Sequence, residues 1–218
     1  MKLAQSIQEF QESMKGMIPE EAMLKMTAAT KKLIETGITD RCLKTGDKIP
    51  YFTLPNAIAE EISIKNLLEN GPVVINFYRG AWCPYCNLEL AAYQKALPEI
   101  EALGAKLIAI SPNLPDKSLS SIEKHNLKFE VLSDIGNKIA EKFGLVFVVD
   151  EDIRSIYKNM DIDIPGHNGD ESWKIPIPAT YVVDKNGTIL GDFVDADYTK
   201  RMEPSDVIDI LKKRKNGN

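Results

Sequence analysis

Two apolar runs constrain the fold of this chain more than any other feature of its sequence. Residues 72–78 (PVVINFY) and 106–111 (KLIAIS) are almost continuously apolar, as strands buried on both faces must be. Between them, residues 87–103 carry Leu88, Ala91, Ala92, Lys95 and Leu97 to Ile100 at helical spacings, and Gly104 supplies the stop. Strand, helix and strand in that order predict an α/β fold from Thr45 onward. Short helices are expected over 119–125 and 137–143, around a strand at 129–132. Residues 179–184 and 188–194 predict a hairpin about Lys185-Asn186-Gly187, with Asn-Gly as the turn signal. A helix over 204–213 and a fraying tail at 215–218 end the chain. Residues 150–178 fit no regular element, being broken by Pro165, Gly166, Gly169, Pro176 and Pro178, and loops of that length tend to be functional.

Residues 1–44 read as a helical extension and residues 45–214 as one domain. Leu3, Ile7, Phe10 and Met14 recur at spacings of three and four, as do Met23, Met26, Leu33 and Ile34, and Gly16 and Pro19 separate the two helices. A Met-rich face of this kind is expected to pack on its own domain. A homodimer formed through it is the alternative.

Charge and cysteine usage exclude several functions. With 27 Lys+Arg against 32 Asp+Glu among 218 residues, net charge −5, the chain has no basic stripe for nucleic acid. Two histidines, His125 and His167, are too few for the usual zinc or di-iron sites, so any metal site would have to be carboxylate-built; no metal and no cofactor are expected. The start, MKLAQSIQEFQESMK, has neither a signal nor a transit pattern, and no run approaches the roughly 18 apolar residues of a membrane span. Three cysteines suit a reducing compartment, and the expected location is the cytoplasm.

Chemistry concentrates in Tyr78-Arg79-Gly80-Ala81-Trp82-Cys83-Pro84-Tyr85-Cys86, where a buried strand gives way to a helix. A helix N-terminus offers unpaired N–H groups and about half a positive charge, which favour a thiolate. Arg79 adds a cation, so the Cys83 thiol is expected below the free value of about 8.5. Pro84 suits the first helical turn. Cys86, three residues on, shares the helix face of Cys83 and can attack it once Cys83 has reacted with a sulfur or oxygen acceptor. Trp82 is placed to shield the pair. The bland alternatives are buried inert thiols or half a zinc site, for which Cys42, His125 and His167 lack ligand spacing. Cys42 reads as a small buried hydrophobe, with an auxiliary resolving thiol as the alternative. His167, in a Gly-rich stretch, reads as solvated rather than catalytic. Pro178, just before a core strand, predicts a cis peptide bond, with an ordinary strand-entry proline as the alternative.

At these residues the sequence resembles the alkyl hydroperoxide reductase/thiol-specific antioxidant (peroxiredoxin-like) branch of the thioredoxin-fold superfamily, from about Thr45 to Lys213. The likeness rests on Thr45-Gly46-Asp47-Lys48-Ile49-Pro50-Tyr51-Phe52-Thr53-Leu54-Pro55, the strand from Val73 to Tyr78, Leu132-Ser133-Asp134, Phe143-Gly144 and Tyr181-Val182-Val183-Asp184-Lys185-Asn186-Gly187. It implies a central mixed sheet flanked by helices, a peroxidatic role for Cys83 and a resolving role for Cys86. It also implies a loop before Pro178 that faces the cysteines. Two places depart from the peroxiredoxin pattern. Its Thr and earlier Pro are Gly80 and Asn76 here, and its later Arg is Pro178, the residue that thiol-disulfide oxidoreductases carry. Arg79 is the guanidinium available in place of the missing one. Three functions stay open: a hydroperoxide reductase recycled by thioredoxin or a similar dithiol, a thiol-disulfide oxidoreductase, and a non-enzymatic redox sensor.

Overall fold

The computed structural model describes residues 2–217, apart from the side chains at 120, 121, 123 and 124. The chain opens with α1 (Leu3–Ser13), α2 (Glu20–Glu35) and a 3-10 turn at Ile38–Arg41. A small antiparallel pair follows, β1 (Thr53–Pro55) with β2 (Glu61–Ser63), and α3 (Ile64–Asn70) leads into the main sheet. The expected strand–helix–strand unit is β3 (Val73–Phe77), α4 (Pro84–Ala102) and β4 (Lys106–Ser111). Then come α5 (Pro115–His125), β5 (Glu130–Ser133), α6 (Lys138–Lys142), β6 (Val146–Val148), α7 (Glu151–Asn159), α8 (Ile164–Asn168) and β7 (Lys174–Pro176). The chain closes with β8 (Ala179–Val183), β9 (Ile189–Val194) and α9 (Pro204–Asn216).

The main sheet runs β5-β4-β3-β8-β9, with β3, β4 and β5 parallel and β8 antiparallel to both β3 and β9. Alternate residues of β3 serve opposite cores. Val73, Ile75 and Phe77 join Ile108, Ile110, Tyr181 and Val183, under α3, α6 and the 3-10 turn. Val74 and Tyr78 join Leu107, Ala109, Val131 and Val182, under α4 and α9. That double burial is why the strand sequences show no polar alternation. Among the described residues, no helix is long and apolar enough to cross a membrane.

The extension packs on its own domain. Leu3 and Ala4 N–H groups donate to the Glu203 carboxylate at 3.0 and 2.7 Å, which satisfies two orphan donors of the first turn of α1. Phe10 meets Tyr85 edge-on at 5.3 Å. Ala22, Met26 and Ala29 of α2 lie against a third apolar cluster built by Val149, Ile153, Ile156, Tyr157, Ile164 and Trp173. Ile38 and Cys42 sit in the first core, so the chain before Thr45 contributes directly to the main body.

Three expectations are corrected. Residues 150–178 are largely regular. Asp150 caps α7 by accepting from Asp152 N–H at 3.1 Å, and Ile153, Ile156 and Tyr157 form its buried face. The breakers begin only at Pro165, which sits in the first turn of α8, and β7 pairs with β6. The Ile177–Pro178 bond is trans, as is every described peptide bond. Ile177 N–H donates to Leu145 carbonyl at 2.9 Å, continuing the extended β7 path straight into β8, so no reversal is needed there. The hairpin, by contrast, forms as expected: β8 and β9 pair antiparallel about Lys185-Asn186-Gly187, with Gly187 in the left-handed backbone (φ 80°) and its N–H donating to the Asp184 carbonyl at 2.8 Å. Finally, α9 continues to Asn216 rather than fraying from 215, while Asn218 lies outside the described residues.

Candidate active site

The loop after β3 is shaped by Gly80, whose φ is +145°. A Cβ there would lie 2.4 Å from Trp82 Nε1 and 2.9 Å from both polar side-chain atoms of Asn113, so only glycine fits. This is the physical reason the place cannot hold threonine. Ala81 N–H donates to Asn113 Oδ1 at 2.8 Å, Asn87 Nδ2 to Ala81 carbonyl at 3.0 Å and Cys83 N–H to Gly80 carbonyl at 3.1 Å. So pinned, the chain enters α4 with Cys83 as its N-cap and an exposed Pro84 in the first turn.

Cys83 and Cys86 are both 0% exposed. Burial alone raises a thiol pKa. For Cys83 that rise is overcome by the hydrogen bond from the Cys86 thiol, by the charges of Arg79 and Arg201, and by the Cys86 N–H, which together bring it down to about 6. Cys86 is held well above the ordinary thiol value, first by burial and then by its bond and proximity to Cys83, with Arg201 and Arg79 opposing. Adjacent thiols thus have opposite ionisation tendencies.

The cation beside Cys83 is fixed in place. Arg79 is buried, and its Nη1 donates to Cys83 Sγ at 3.8 Å while its Nη2 donates to the Tyr157 hydroxyl. Its guanidinium lies 4.8 Å from the Trp82 ring centre, 4.4 Å from Tyr198 and 5.9 Å from Tyr157, within cation–π range of all three. Trp82 is half-buried and packs 5.5 Å from Tyr157, so it covers Arg79 as well as the thiols.

A second guanidinium serves Cys86. Arg201 Nη2 donates to Cys86 Sγ at 3.4 Å, and its Nε donates to Glu89 Oε2 at 2.7 Å. Its Nη1 donates to the carbonyls of Tyr198 and, at 2.7 Å, of Lys200. Thr180 Oγ1, which accepts from Asn76 Nδ2 at 3.0 Å, faces the other Glu89 oxygen at 3.5 Å. The Glu89 and Arg201 side chains are each 1% exposed.

Of the residues expected at the site, Cys83, Cys86, Arg79, Trp82 and Pro84 come together. Pro178 is buried and borders a cavity of about 250 Å³ together with Arg79, Tyr157 and Tyr198. A larger space of about 550 Å³ lies between α1, α2 and the Trp82–Tyr85 turn. His167 borders neither of these cavities, its half-burial lowers its pKa, and its carbonyl is engaged by Leu114 N–H at 2.9 Å. Cys42 lies on the opposite face of the sheet, where burial pushes its thiol up to about 11 and its Sγ contacts the Ile38 and Gly144 carbonyls. Four residues of the site were not foreseen: Tyr157, Tyr198, Glu89 and Arg201. Only Glu89 left a local signal, a charge inside the buried stripe of α4 one turn after Cys86.

Known proteins carry the same arrangement of fold. Peroxiredoxin Bcp of Escherichia coli is 30% identical over 103 residues, 47% of this chain and 65% of the relative. A relative of the same Bcp name from Haemophilus influenzae is 34% identical over 103 residues, 47% of this chain and 66% of its own length. This chain therefore spans just under two thirds of those relatives. The crystal structure of peroxidoxin BcpB from Mycobacterium tuberculosis superposes with a TM-score of 0.62 at 22% identity, covering 78% of this chain and 97% of that one. That likeness establishes a peroxiredoxin-type, thioredoxin-like fold. The model of the AhpC/TSA family matches residues 45–191, from ahead of β1 into the start of β9, and the chain belongs to that family.

Proposed function

We propose that the chain is a thiol peroxidase of the cytoplasm. The observation that carries this reading is the Arg79 guanidinium held 3.8 Å from the Sγ of a helix-capping, acid-shifted Cys83. Cys83 thiolate attacks the distal oxygen of a hydroperoxide; the O–O bond breaks, the alkoxide leaves and is protonated to the alcohol, and Cys83 becomes sulfenic acid. Arg79 opposes the charge that develops on oxygen. Cys86 then displaces water from the sulfenic sulfur, and thioredoxin or a similar dithiol reduces the resulting disulfide. No cofactor takes part. The peroxiredoxin names of the relatives support this reading.

Single-turnover oxidation by hydrogen peroxide, followed by Trp82 fluorescence, tests it. The expected rate far exceeds that of a free thiol, Cys83→Ser abolishes turnover, and Cys86→Ser accumulates sulfenic acid. Peroxide oxidation no faster than a free thiol overturns the proposal. Pro178, buried beside Arg79, favours the second reading, a disulfide oxidoreductase, and reduction of insulin by the same chain would then single it out. A homodimer through the outer face of α2, where Leu24 is 63% exposed, belongs to the same proposal, and a monomer in sedimentation velocity rejects it.

A further inference from the structure

Four groups in the site form two opposite-charge pairs. Arg79 faces Cys83, and Arg201 faces both Glu89 and Cys86, with every nitrogen of Arg201 engaged. All of these side chains lie away from water. With Cys83 as thiolate and Glu89 as carboxylate, two anions balance two cations. A Cys86 thiolate would be a third anion in a dry site with no cation left to balance it, which burial makes costly.

We propose that Glu89 is a positioning residue which, through Arg201, keeps Cys86 a thiol until Cys83 has lost its charge by oxidation. Cys86 and Glu89 are three residues apart on one face of α4, and Arg201 spans them. While Glu89 is ionised, Arg201 is already compensated. Once Cys83 becomes the uncharged sulfenic acid, the set is one anion short and Cys86 can ionise. In the step that follows, the S–S bond forms and the S–OH bond breaks. The proton given up by Cys86 leaves with the hydroxide as water; the Cys83 sulfur is reduced by one oxidation level and the Cys86 sulfur oxidised by one. The inference rests on the reading of Cys86 as resolving thiol.

The surroundings of Glu89 are consistent with a tuned carboxylate. Burial pushes it up to about 7, against the charge of Arg201 and hydrogen bonds from Arg201 and Asn76, while Cys86 raises it further. The groups facing it are Cys86 and Tyr93 on α4, Asn76 on β3, Thr180 on β8 and Arg201 from the segment before α9. None besides Arg201 carries positive charge.

Cysteine Cβ chemical shifts of isotope-labelled, reduced protein, followed against pH, report each thiol separately. In Glu89→Gln the Cys86 midpoint is expected to fall by at least about one pH unit, a tenfold gain in acidity. Glu89→Asp, which keeps the charge, is expected to titrate as the parent does. An unchanged Cys86 midpoint in Glu89→Gln overturns the proposal. Should that variant not fold, Cys83→Ser carries the test: with the Cys83 charge removed, Cys86 titrates at least about one unit lower, and an unshifted midpoint overturns it. No peroxide enters these titrations, so failure of the resolving role shows separately, as normal turnover by Cys86→Ser.

Discussion

At the residue scale, Arg79 binds through shape as much as charge. Its planar fork bridges Cys83 Sγ and the Tyr157 hydroxyl while its faces meet three aromatic rings, and a lysine ammonium can reproduce neither the fork nor the stacking. Arg79→Lys is therefore expected to raise the Cys83 pKa by about one unit and, through the smaller thiolate fraction, to slow peroxide oxidation at pH 6 by about fivefold. The sign of the pH dependence follows from the direction of the shift. With the Cys83 thiol lowered to about 6, the wild-type rate rises with pH through that region and levels off above it, and the variant profile is displaced to higher pH. Stopped-flow rates across pH measure both. A variant profile superimposable on the wild type would remove Arg79 from the list of groups acting on Cys83.

At the scale of elements, the extension and the terminal helix share a fastening. Glu203, the N-cap residue of α9, turns its carboxylate to the first two N–H groups of α1, so a negative charge meets the positive end of a second helix. Its side chain makes no cap bond within α9 itself, so Glu203→Ala loosens α1 selectively. About 1 kcal/mol is expected, which is about a fivefold loss of hydrogen-exchange protection over Leu3–Ser13 with α9 unaffected. Equal loss in both helices would contradict this. Which elements the sequence reveals follows from how local their causes are. The strands β3 and β4 and the helix α4 announce themselves because both sheet faces are covered, and Pro84 and Gly104 punctuate the helix. By contrast, α7 has only Ile153, Ile156 and Tyr157 among charged neighbours, and its proximity to Pro165 and Gly166 masks a pattern less than three turns long. The pairing of β7 with β6 leaves no such local mark, because its partners, Val146 with Pro176 through Val148 with Lys174, are far apart in sequence.

At the scale of the whole molecule, the sheet acts as a partition. The site is half legible for this reason: Arg79, Trp82, Cys83 and Cys86 follow from one continuous segment, whereas Arg201 reaches Cys86 across 115 residues and Tyr157 reaches Arg79 across 78. These distant residues are brought in from the β9–α9 connection and from α7 by the packing of the layers. The same layering separates the third thiol. Cys83 and Cys86, at the start of α4, lie in the core under α4 and α9, whereas Cys42, at the end of the 3-10 turn, lies in the core under α3 and α6 on the other side of the sheet. A sulfur on one face cannot reach a sulfur on the other while β3, β4 and β8 stay paired, because a disulfide requires Cα atoms within about 7 Å. Burial adds a chemical barrier, keeping Cys42 a thiol up to about pH 11. Oxidation of the Cys86→Ser chain under native conditions is thus expected to yield Cys83 sulfenic acid or a mixed disulfide with an added thiol, with no Cys42–Cys83 bridge in non-reducing peptide maps. Cys42→Ala, which removes only a small buried side chain, is expected to leave the oxidation rate of Cys83 unchanged while lowering stability by about 1 kcal/mol. A Cys42–Cys83 bridge formed in the folded Cys86→Ser chain would mean that the sheet opens during turnover, and that the partition between the two cores is dynamic rather than fixed.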